Sequence, residues 1–68
     1  MSIAKVIEVL AEGSSIEEAV QAAVSEAAET VHGIQHVYVE HVQALVQDDQ
    51  VVKYRINAKL TFVVDSDR

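Results

Sequence analysis

From Val52 to Val64 the chain alternates without a slip. Val52, Tyr54, Ile56, Ala58, Leu60, Phe62 and Val64 occupy the even positions, and Lys53, Arg55, Asn57, Lys59 and Thr61 the odd ones. Successive side chains of a strand point to opposite faces, so this period of two predicts a β-strand with one dry face and one wet face. At roughly 3.3 Å per residue the strand is about 43 Å long, far beyond the usual strand of about 5–6 residues. The even face is expected to cover the domain's own helix. The odd face carries polar groups that an assembly can turn toward a neighbour or a ligand.

The rest of the chain falls into place around this strand. Ile3 to Leu10 is apolar and rich in β-branched residues, with Lys5 and Glu8 inside it, and is closed by Ala11-Glu12-Gly13; it reads as a strand. Ser14 and Ser15 are each followed three residues later by a glutamate, Glu17 and Glu18, so either serine can form a capping box and start a helix. Ile16, Ala19, Val20, Ala23, Val24, Ala27 and Val31 form one apolar stripe, and Gly33 is the expected stop. The small alanines let the helix axis lie close against a sheet. Ile34 to Val46 reads as a second strand, but its apolar parity changes: Val37 and Val39 are odd, whereas Val42, Ala44 and Val46 are even. Such a phase change predicts a β-bulge near Glu40-His41. Gln47-Asp48-Asp49-Gln50 is a tight hairpin into the long strand, and Asp65-Ser66-Asp67-Arg68 a polar tail. The order is β-α-β-β, an α+β fold. A returning helix makes the first two strands parallel and the hairpin makes the third antiparallel to the second, so the third pairs best with both. The expected sheet is antiparallel, ordered 1-3-2 and wrapped on one helix.

Composition bounds what this fold does. The chain of 68 residues is read as one domain, 1–68, and half of it is hydrophobic, a high apolar load for a core that small. With no cysteine to cross-link it, the simplest outlet is burial between subunits, and an obligate oligomer is expected. A net charge of −6 with five scattered basic residues disfavours nucleic acid and anionic membranes as partners. No apolar run approaches the 18 or so residues of a membrane span, and Met1-Ser2-Ile3-Ala4-Lys5 lacks the apolar core of a signal peptide, so the expected location is the cytoplasm.

His32, His36 and His41 lie close in sequence. The first two have the spacing of zinc ligands on a helix, but Gly33 falls between them and no glutamate completes a metalloprotease motif. Ordinary surface or interface histidines are the plainer reading, and an intersubunit site stays open. Asp48-Asp49 is a turn sequence first, because calcium wants six to eight oxygens and this loop alone offers too few. There is no nucleophile turn, no glycine-rich phosphate loop with only two glycines, and no cysteine nucleophile, so an enzyme is not expected. What remains is Arg55, Asn57 and Lys59 beside a strand bearing His36, a partly cationic face suited to a planar or anionic small molecule.

The helix Ile16-Glu17-Glu18-Ala19-Val20-Gln21-Ala22-Ala23-Val24, continuing through Ala27-Ala28-Glu29-Thr30-Val31, and then Gln50-Val51-Val52-Lys53-Tyr54-Arg55-Ile56 with Lys59-Leu60-Thr61-Phe62, resemble the dodecins over nearly the whole chain. The resemblance implies a hollow homododecamer. In the flavin-binding members, pairs of flavins sit at two-fold axes, stacked on tryptophans and hydrogen-bonded by a glutamine. Carried onto this chain, the tryptophan position is His36, the glutamine position is Arg55, and an arginine often found on the second strand is Gln43. The expected ligand is then FMN or riboflavin, bound and stored rather than converted, with His36, Arg55 and Gln43 at the pocket. An imidazole offers less stacking area than an indole, which lowers the expected affinity. The alternative the resemblance carries is a flavin-free shell that binds calcium or another divalent cation, or a purely structural assembly.

Overall fold

The computed structural model describes residues 2–65. The chain folds as β1 (Ser2–Gly13), α1 (Ile16–Ala27), β2 (Ile34–Gln47) and β3 (Gln50–Asp65). The sheet is ordered β1-β3-β2 and antiparallel at both pairings, as the alternation and the hairpin predict. The long strand exceeds its expected length, at 16 residues.

The even face of β3 supplies the centre of the core. Ile56, Ala58 and Leu60 are buried against Ala19, Ala23 and Ala27 of α1, with Ile7, Val9 and Ala11 of β1 and Ile34, Val37 and Val39 of β2 packed around them, and Phe62 is buried as well. Three alanines face the sheet, so the backbone of α1 approaches it closely. A 12-residue helix is about 18 Å long, so it covers only the middle of the sheet. Beyond it Ile3, Val42, Val46, Val51, Val52 and Val64 stay exposed.

Three details depart from the sequence pattern. β1 runs on to Gly13, so Glu12 belongs to the sheet and not to the loop. α1 ends at Ala27, where Glu29 and Thr30 donate their N–H groups to the carbonyls of Glu26 and Ala27, the tighter i to i−3 pattern of a terminal turn. Acidic Glu26 and Glu29 oppose the helix dipole there, and no basic residue supports the last turn. Val31 therefore packs on the core from outside the helix, and Gly33, at a φ of 78°, turns the chain into β2 instead of stopping the helix. The N-terminal cap is as expected in kind: Ser15 Oγ accepts from Glu18 N at 3.1 Å, while the Glu18 carboxylate reaches back to Ser14 N at 3.2 Å and to its hydroxyl.

The parity change in β2 is a bulge. Glu40 pairs with Asn57 and Gln43 with Arg55, leaving His41 and Val42 against Ile56 alone, with His41 at a φ of 53°. Two further register shifts lie between Ile34 and His36 and between Leu45 and Val46. The first of these moves Ile34 to the helix side and His36 to the opposite face. At the hairpin tip Asp48 and Asp49 both have positive φ, 55° and 62°, as a two-residue type I′ turn requires. No described helix is long and apolar enough to cross a membrane.

Candidate functional site

Cross-strand partners share a face, so the pairing assigns the sheet surface away from α1. β3 contributes Lys53, Arg55, Asn57, Lys59 and Thr61; β1 contributes Val6, Glu8, Leu10 and Glu12 opposite them; β2 contributes His36, Tyr38, Glu40, Gln43 and Leu45. All three residues singled out from the sequence lie on this face. Gln43 stands directly opposite Arg55, but His36 stands opposite Thr61, about 20 Å farther along the strand at roughly 3.3 Å per residue. The chain brings Gln43 and Arg55 together and keeps His36 apart from them.

Register also decides the electrostatics. Glu12 faces Arg55 across β1 and β3, and its Oε2 accepts from the guanidinium Nε at 2.7 Å, with Nη2 also at 2.7 Å. Its Oε1 lies 2.9 Å from Lys53 Nζ. Lys53 and then Arg55, each donating to it, hold the Glu12 carboxyl below the ordinary carboxylate range. Farther along, Asn57 Nδ2 donates to Glu8 at 3.2 Å and Lys59 Nζ lies 3.4 Å from Glu40. The partly cationic face expected from β3 alone is therefore not what forms: carboxylates from both neighbouring strands neutralise it.

Glu12 and Tyr38 are the residues of this face that bear most on a ligand without being marked by the sequence pattern. Glu12 is hidden because the apolar pattern closes its strand at Leu10. Tyr38 is 61% exposed and shares the face of His36; its signal was its position between the core residues Val37 and Val39, which forces it outward. The three histidines do not converge: His32 is in the turn after α1, His36 on the outer face and His41 at the bulge. Among the described residues no three of His, Asp and Glu gather closely enough to hold a metal, and no enclosed pocket is present. In the single chain this face is an open surface.

The family model for dodecins matches residues 3–65. The chain belongs to the dodecin family. Solved dodecins share its fold: the Streptomyces coelicolor dodecin superposes with a TM-score of 0.86 at 25% identity, covering 97% of this chain and 96% of that one. A point variant of the Thermus thermophilus dodecin gives a TM-score of 0.88 at 19% identity over 97% and 100% of the two chains. The Streptomyces davaonensis dodecin gives 0.86 at 18% over 96% and 97%. No curated protein matches significantly. Identities this low speak for the fold, and the side chains of the outer face have to be read on their own. Within the dodecin fold of this chain that face holds no tryptophan, because the sequence contains none.

Proposed function

We propose that this dodecin is a non-catalytic homododecamer that binds and stores a planar small molecule of the flavin class, FMN or riboflavin, on the outer face of its sheet. The observation that carries this reading is the composition of that face: exposed Tyr38 and His36 offer rings, and the Gln43 amide beside Arg55 offers hydrogen bonds, all on rigid paired strands. Since His36 and Arg55 lie far apart within a subunit, they meet one ligand only where two subunits face each other. The polar groups are tied to one another in ion pairs and not arranged as nucleophile and base, which supports binding over catalysis.

Titration of flavin fluorescence tests it. His36→Trp adds a stacking platform worth roughly 1–3 kcal/mol per ring, and Arg55→Gln supplies a neutral amide, so the double variant is expected to bind more tightly than either single variant or the wild type. A double variant that binds no better than the wild type overturns the placement of His36 and Arg55 at the ligand. Two observations favour a second reading, a flavin-free shell that binds calcium or another divalent cation or is purely structural: Arg55 already has its partner in Glu12, and the chain has no tryptophan. Purified protein that is colourless, and a Tm that rises with calcium or another divalent cation by more than sodium chloride of equal ionic strength gives and does not rise with flavin, would support that reading.

A further inference from the structure

We propose that Glu12 sets the charge of the ligand that the Arg55 face accepts, by keeping the guanidinium and the Lys53 ammonium on its own carboxylate and so withholding them from anionic groups. The inference rests on the reading that Arg55 and Gln43 line the ligand site. Arg55 is flanked in the sheet by Glu12 on β1 and by Gln43 on β2, a carboxylate on one side and a neutral amide on the other. Both oxygens of Glu12 are engaged, Oε2 by Arg55 Nε and Nη2 at 2.7 Å and Oε1 by Lys53 Nζ at 2.9 Å.

On the stretch of the outer face from Lys53 to Thr61 of β3 and its cross-strand partners, Glu8, Glu12 and Glu40 match Lys53, Arg55 and Lys59 one for one, so that stretch carries no net charge apart from His36. A phosphate arriving at Arg55 has to displace Glu12 from the guanidinium and then lie beside a carboxylate that, like any ordinary glutamate, is still ionised at neutral pH. A neutral ring makes no such demand, since the Gln43 amide, with no hydrogen-bond partner among the described residues, can meet its edge. The wild type therefore discriminates against phosphorylated ligands at a position where an unpaired Arg55 would attract them. Glu12 acts through Arg55 and Lys53, as a positioning residue.

The test compares the wild type with Glu12→Gln and Glu12→Ser as assembled protein, using inorganic pyrophosphate by calorimetry and riboflavin and FMN by fluorescence. The wild type is expected to bind pyrophosphate weakly and to hold riboflavin at least as well as FMN. Both variants are expected to raise pyrophosphate affinity and the FMN-to-riboflavin affinity ratio about tenfold, the scale of one charge-assisted hydrogen bond. Adding Arg55→Gln is expected to remove the gain. Two near-neutral replacements of different size guard against one failing to assemble, and unchanged elution volume certifies each. Ratios and pyrophosphate affinities that stay within about twofold of the wild type, or a gain that survives Arg55→Gln, overturn the proposal. If no form binds either flavin, the flavin reading falls, and the pyrophosphate arm still decides the role of Glu12.

Discussion

Gly13 stands where β1 meets the first turn of α1, and a Cβ there would come within 2.6 Å of the Ala19 backbone nitrogen. The obstacle is backbone and not a side-chain tip, so relief requires the strand and helix to move apart. Gly13→Ala is expected to destabilise the fold by about 1–3 kcal/mol, read as a shift in urea midpoint. A few atoms away, the Glu18 carboxyl is held below its ordinary range by the Ser14 hydroxyl and N–H, as Glu12 is by Lys53 and Arg55. A carboxyl lowered in the folded state contributes stability above its unfolded value and loses that contribution as pH falls through the folded value. Stability should therefore drop on acidification below the ordinary carboxylate range, and Glu18→Gln should flatten that decline; parallel urea midpoints for the two proteins would contradict it. At this scale the faces of His36, Gln43 and Arg55 are consistent with parity and the predicted bulge. The ion pairs were not legible, because a partner such as Glu12 is named only by register, and no single strand carries its own register.

At the scale of elements, the apolar pattern reports a bulge only where one face of the strand is buried. The shift at His41 is legible because Val39 faces the core before it and apolar residues change parity after it. The shift at Leu45-Val46 lies near the hairpin tip, where Val46, Val51 and Val52 are all exposed, so no dry face marks the phase. The end of α1 is hidden for a related reason: Val31 joins the apolar stripe by packing on the core from a turn. The hairpin itself carries a testable strain. Both Asp48 and Asp49 sit at positive φ, and two like charges crowd the tip. Asp48→Asn with Asp49→Gly suits the left-handed geometry and removes the repulsion, so it is expected to stabilise by about 1 kcal/mol and raise the Tm.

The described residues span 56 Å in length and 19 × 13 Å across, with a radius of gyration of 14.3 Å. A compact chain of this length would have a radius of gyration of about 11 Å. The excess comes from β3, which outruns the helix at both ends and leaves apolar side chains bare on both faces, Val6 and Leu10 outside and Ile3, Val52 and Val64 on the helix side. Such a shape is poorly stable alone and well suited to burial between copies. Light scattering is expected to find a particle of about 89 kDa, twelve chains of 7.4 kDa; a stable monomer at micromolar concentration would sink the assembly. With −6 on each chain, twelve carry −72, and salt or divalent ions should raise its Tm by relieving that repulsion.

The bulges of β2 also bear on solubility. With β3 in the centre, the sheet has two free edges, and an edge strand is a template on which foreign strands can grow. Along β2 the ladder is broken near Gln35, and again at His41, so no long run of evenly spaced amide and carbonyl groups faces outward. β1 pairs with β3 from Ser2 to Gly13 without a register shift, and its other edge is correspondingly regular. Edge-to-edge aggregation of a dissociated subunit would therefore propagate through β1 and stall at β2, giving pairs joined at β1 in preference to open-ended fibrils.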